Sequence, residues 1–122
     1  MDNNTTLENI KQKVEEYCTE REYDQFHTPK DLAIGLSTEA NEVLEHFRFM
    51  NEKQIDAMMQ NGHIEKEEIA DELADVLFFL ARFAQMNQID LSESFDRKMA
   101  KNAKKYPLSS KGDNRKYSRR EV

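Results

Sequence analysis

A long helix is written in residues 67–86, EEIADELADVLFFLARFAQM. Ile69, Leu73, Val76, Leu80 and Ala84 recur at spacings of three and four, the period of one helix face. Phe78, Phe79 and Phe83 lie off that stripe, so from Val76 to Ala84 the helix is apolar almost all round. Such a helix must be buried on several sides. A chain of 122 residues has too few helices to enclose it fully, which predicts association of subunits. The run VLFFLA at 76–81 is far too short to cross a bilayer.

The flanking segments keep the same period. Asn61-Gly62 breaks the chain before this helix, which is expected from about Ile64 to Asn87. Upstream, Thr28-Pro29 is a strong helix start: a side-chain cap with proline at the first helical position. The helix it opens is expected to reach about Phe49, with Leu32, Leu36, Ala40, Val43, Phe47 and Met50 on one stripe. A weaker helical piece covers about 52–60. The first helix is expected near Thr5, where Thr5 and Glu8 have capping-box spacing, and ends near Arg21. Asp90 and Glu93 open a last helix that runs to about Lys105 and is stopped by Tyr106-Pro107. Only three Gly and two Pro interrupt the chain, and no alternating strand pattern occurs. The fold class is all-α, a bundle of four to five helices.

Charge divides the chain in two. Residues 108–122 carry five basic and two acidic side chains, a net of +3; residues 1–107 carry 13 basic and 22 acidic ones, a net of −9. The expected organisation is one domain over 1–107 and a polar, basic tail over 108–122. A strongly acidic body argues against non-specific nucleic-acid binding. The single Cys18 excludes an internal disulfide framework and a Cys-rich zinc site. The opening MDNNTTLENIKQ lacks the features of a secretory signal, so a soluble cytoplasmic protein is expected, without a membrane partner.

The excess acid is patterned. Glu39 and Glu42 on one helix, and Glu72 and Asp75 on another, stand three apart and share a face. Each pair lies on the shoulder of an apolar stripe. Antiparallel packing of the two helices would bring four carboxylates to one groove, where they repel unless a cation lies between them. All-oxygen ligands suit Mg²⁺ or Mn²⁺, and Mg²⁺ is commonly completed by substrate phosphates and water. Solvated acidic faces are the plain alternative, since Glu42/Glu45 and Glu68/Asp71 have the same spacing. A carboxylate-bridged di-iron bundle is disfavoured, because no histidine follows a Glu by three residues.

At these residues the sequence resembles the all-α nucleoside triphosphate pyrophosphohydrolases, the MazG-like superfamily. GLSTEANEVLEHF (35–47) resembles the first half of the family signature and EIADELADVLFFLARFA (68–84) the second. REYDQFHTPKDL (21–32) and DRKMAKNAKKYP (96–107) resemble the flanking blocks of the dCTP pyrophosphatase-like branch.

The resemblance implies cleavage of a nucleoside triphosphate between the α and β phosphates. It implies Glu39, Glu42, Glu72 and Asp75 as metal ligands and catalytic groups, with Mg²⁺ (or Mn²⁺) as cofactor. It implies substrate contacts from Tyr23, His27, Phe49, Lys98, Asn102 and Tyr106. The substrate would be dCTP or a modified pyrimidine deoxynucleotide, and the role nucleotide-pool sanitation. The assembly would be a homodimer or a dimer-based homotetramer. The branch commonly carries Trp where this chain has Tyr23 and Phe49, and can carry His where it has Val14. A non-catalytic helical interaction protein is the second reading, and the intact acid tetrad argues against it.

Overall fold

The computed structural model describes residues 1–112; the remaining residues of the expected tail, 113–122, lie outside the described residues. The described residues form five α-helices and one 3-10 turn, with no strand among them: α1 (Leu7–Glu20), α2 (Pro29–Glu45), α3 (Glu52–Asn61), α4 (His63–Met86) and α5 (Leu91–Lys105). The all-α expectation holds.

The helix starts are set by side-chain caps. At α1 the cap is Thr6, one residue after the predicted Thr5. The Asn9 side chain accepts from the Thr6 N–H at 3.1 Å while Thr6 Oγ1 accepts from the Asn9 N–H at 3.1 Å, so the box closes with Asn rather than Glu. Thr28 caps α2 through the Asp31 N–H at 3.2 Å, with Pro29 in the first turn. α2 ends at Glu45, four residues short of the prediction. The bonds from His46, Phe47 and Arg48 reach back only three residues, and Phe49 turns left-handed at φ 64°. Asn51 then caps α3.

The described chain forms two compact units, the first Met1–Gln88 and the second beginning at Ile89. In the first, α4 is the central element: α2 packs on it most extensively, then α1 and α3. α2 and α4 run antiparallel, since Gly35 lies against Phe79 while Glu39, one turn later, meets Asp75 and Glu72. Val14, Cys18 and Ala81 form the buried centre between α1 and α4, with Ile10 and Phe78 against it.

The buried face of α4 differs from the predicted stripe. Ile69 and Ala84 are buried and Val76 is half-buried, but Leu73 is 53% and Leu80 39% exposed, while Ala81 and Arg82 are each 1% exposed. The 3.6 period specifies an apolar face; which part of it is covered depends on where the neighbours sit. Here α1 comes in over small residues of α4, which lets the backbones approach and leaves the larger leucines outside. On α2 likewise Leu32 is buried and Ala40 exposed.

In the second unit Asp90 caps α5, accepting from the Glu93 N–H at 2.9 Å. Leu108–Ser110 forms a 3-10 turn in which Ser110 Oγ donates to the Pro107 carbonyl at 2.8 Å. The start of the expected tail is therefore structured.

Candidate active site

α2 and α4 bring acids together where they run side by side. Glu39, Glu72 and Asp75 each offer one carboxylate oxygen, and these oxygens lie within 4.8 Å of one another. Glu39 and Glu72 are half-buried and Asp75 is exposed. Glu42, one turn beyond Glu39, is exposed and stands outside this trio, yet its charge still acts on Glu39. His46 is half-buried, with Nε2 3.7 Å from Glu72 Oε1.

The Glu39 carboxyl is held above its ordinary range. Desolvation is the first cause, followed by the charges of Asp75, Glu72 and Glu42 and a hydrogen bond with Glu72. The sign follows from linkage: the folded chain holds this proton more tightly than the unfolded chain. Metal-free stability should therefore rise as pH falls from neutral through the raised Glu39 value. A divalent cation at the trio must displace that proton. Apparent Mn²⁺ affinity should fall over the same window, and calorimetry in buffers of different ionisation enthalpy should detect proton release. Three carboxylates with room for water and phosphate fit a hard divalent cation; nothing in the trio suits a thiophilic metal.

Next to the acids lies a cavity of about 570 Å³, within the range of small-molecule sites. Asp75 belongs to both the cavity wall and the acid trio. The wall is a chain of rings. Phe79 meets Phe78 edge-on at 5.2 Å, Phe78 meets Tyr17 at 5.8 Å, Tyr17 meets Tyr23 at 6.4 Å and Tyr23 meets His27 at 5.8 Å. Val14 lines it too, on the residue where the branch can carry His. Lys13, which sequence reasoning passed over, puts a cationic side chain on the same wall.

Local rules position these groups. α1 ends in a Schellman motif: the Tyr23 N–H bonds the Cys18 carbonyl at 2.9 Å and the Glu22 N–H the Thr19 carbonyl at 3.1 Å, with Glu22 left-handed at φ 57°. That reversal delivers Tyr23 to the cavity. Gly35 makes room for Phe79: a Cβ there would lie 2.4 Å from Phe79 Cε1. Gly35→Ala gains about 1 kcal/mol of helix propensity against about 1–3 kcal/mol of overpacking. A net loss of up to about 2 kcal/mol is expected in urea unfolding, together with a higher KM as Phe79 is displaced.

The strongest feature missed from sequence is Arg82, which is 1% exposed. Its Nη2 donates to Asp24 Oδ1, its Nη1 to Gln85 Oε1 at 2.7 Å, and its Nε to His27 Nδ1 at 3.0 Å. The connector between α1 and α2 is thereby tied to α4. The signal was present: an Arg inside a run predicted to be buried must find an acceptor set, and Asp24 stood in an unusually aromatic connector.

Of the predicted substrate residues, Tyr23 and His27 line the cavity. Phe49 does not; it is 91% exposed, with the Arg48 guanidinium carbon 4.7 Å above its ring. Lys98, Asn102 and Tyr106 belong to the second unit. There Lys98 is exposed, Asn102 and Tyr106 are half-buried, and the Tyr106 N–H bonds the Asn102 carbonyl at 2.8 Å. Among the described residues no helix is long and apolar enough to cross a membrane.

The model of the MazG-like family matches residues 34–119. The chain is similar to dCTP pyrophosphatase 1 from Bos taurus, 31% identical over 114 residues that cover 93% of this chain and 67% of the relative. The protein of that name from Mus musculus is 32% identical, over 93% of this chain and 66% of the relative. The chain thus spans about two thirds of the length of the curated relatives it matches. The crystal structure of a pyrophosphatase from Archaeoglobus fulgidus superposes with a TM-score of 0.75 at 30% identity, covering 88% of this chain and 97% of that one. With two acid pairs on adjacent helices, this all-helical chain belongs to the MazG-like family and is a hydrolase of the nucleotide pyrophosphatase class.

Proposed function

We propose that the protein hydrolyses a pyrimidine deoxynucleoside triphosphate, dCTP or a modified relative, to the monophosphate and pyrophosphate. One observation carries this reading: Asp75 is shared between the acid trio and the ring-lined cavity. A substrate with an aromatic base at one end and a polyanion at the other fits that juxtaposition once a cation neutralises the acids. The pyrimidine preference rests on the similarity to proteins named for dCTP.

Glu39, Glu72 and Asp75 would hold Mg²⁺, or Mn²⁺ in its place, and by resemblance Glu42, one turn away, would join them. When bound, the cation supplies charge neutralisation and an acidified water. The chain supplies the rest. Tyr23 and its ring neighbours stack the base, which is worth about 0.5–1.5 kcal/mol per aromatic pair beyond area burial. Lys13 draws in the anionic substrate. Glu39 or Glu42 takes the proton of the attacking water.

By resemblance, Lys98 is assigned to phosphate, and Asn102 and Tyr106 to the nucleotide or its phosphates. Phe49 lies outside the cavity of its own chain, and its stacking role rests on the resemblance alone. Exposed Leu44, Leu73 and Leu80 supply apolar area for a dimer or dimer-based tetramer. The setting is cytoplasmic clearance of nucleotide pools. A panel of dNTPs with Mg²⁺ tests the reaction: monophosphate and pyrophosphate should appear in equal amounts, fastest from dCTP or a modified pyrimidine. Orthophosphate as the first product, or no product from any nucleotide, would refute it. Sedimentation at micromolar concentration should show at least a dimer.

A further inference from the structure

We propose that Arg82 is a positioning residue that locks His27 into one tautomer and presents its Nε2–H to the cavity as a fixed donor. The argument begins with the guanidinium, which only donates. Arg82 is almost wholly buried, and its three nitrogens are each committed to a different acceptor: Asp24, Gln85 and His27. Its Nε–H points at His27 Nδ1 from 3.0 Å, so Nδ1 must carry the lone pair. A ring turned over would set a C–H against that N–H and leave a buried donor without a partner. The neutral imidazole therefore keeps its proton on Nε2. Burial and the neighbouring Arg82 charge also push His27 below its ordinary range, which keeps the ring neutral.

The other end of the imidazole is where this matters. His27 lines the cavity beside Tyr23, and the bond from Arg82 occupies Nδ1, leaving Nε2 as the nitrogen that can serve a ligand. A donor with no freedom to switch roles recognises an acceptor, namely a carbonyl oxygen or an unprotonated ring nitrogen on a base edge. It disfavours a base that presents an N–H there, since two donors would then face each other. Asp24 neutralises the guanidinium, so the lock is not simply a cation beside a histidine. The ligand half of this inference rests on the cavity being the base site; the tautomer half does not.

Imidazole ¹⁵N–¹H correlation spectra of the full chain, without nucleotide or metal, test the lock first. His27→Asn serves only to assign the resonance among the three histidines. The wild-type spectrum should show His27 neutral with its proton on Nε2 at neutral pH. A proton on Nδ1, or an imidazolium, overturns the proposal without any variant having to fold. Arg82→Met should then give averaged tautomers. Arg82→Lys, which keeps the charge but not the Nε geometry, should do the same. A folded Arg82→Met protein with an unchanged His27 pattern also overturns the lock. For the ligand half, dCMP is titrated into the wild type. The Nε2–H resonance should move with saturation, and Arg82→Lys should raise KM for dCTP several-fold while changing kcat less. Absence of any dCMP effect on that resonance, with the tautomer intact, overturns the donor role and identifies the reading of the cavity as the fault.

Discussion

Asp75→Asn should reduce pyrophosphate release at least about a hundredfold, the upper end of what losing an outer partner of a metal site costs. The substitution keeps the shape and removes one charge. Asp75 is the largest charge acting on Glu39 and shares the three-oxygen cluster with it. Removing it weakens the hold on a divalent cation and detaches the acid cluster from the cavity wall. The same change should leave the metal-free protein at least as stable as the wild type, because three mutually repelling carboxylates become two. Urea unfolding in the presence of a chelator measures the second effect and a coupled pyrophosphate assay the first. Loss of activity with loss of stability would make Asp75 a structural residue. Retained activity would remove it from the metal site. Excess Mn²⁺ should restore part of the rate if affinity is what was lost.

Asp24→Ala should be the most destabilising single change in the connector. It leaves the Arg82 guanidinium buried with only neutral acceptors, His27 and Gln85. Breaking a buried ion pair costs about 3–5 kcal/mol. The low end, about 3 kcal/mol, is expected here, since the Asp24 side chain is 55% exposed and water can enter the space it vacates. Arg82→Met should cost less, because it removes the buried charge and leaves Asp24 facing solvent. The order of the two urea midpoints checks the argument: Asp24→Ala should lie below Arg82→Met. The reverse order would mean that Arg82 contributes by packing rather than as a paired charge. Combining the two changes should cost less than their sum, as partners in one interaction do.

Much of the site was legible because it depends on local periodicity. Two acid pairs at three-residue spacing on the shoulders of apolar stripes imply a shared groove, and Glu39, Glu72 and Asp75 do meet. Glu42 illustrates the limit of that reasoning. Spacing places it on the right face, but the crossing of α2 over α4 leaves the next turn outside the cluster. His46, which stands 3.7 Å from Glu72, is likewise invisible to helical spacing. It follows α2 in a turn of three-residue bonds that a continuing helix would not have made.

Helix existence, the caps at Thr28 and Asp90, the all-α class and the acid pairs were properties of the sequence by itself. Each rests on neighbours within about four residues, where backbone geometry is common to all helices. Tertiary structure alone decided that small residues of α4 would be covered and Leu73 and Leu80 left outside. It also decided that Phe79 would occupy the space Gly35 leaves open, and that one buried arginine would reach 55 residues back along the chain to hold His27. Those outcomes depend on how helices of fixed pattern are set against one another, and a helical repeat does not encode the angle or depth at which a neighbour arrives.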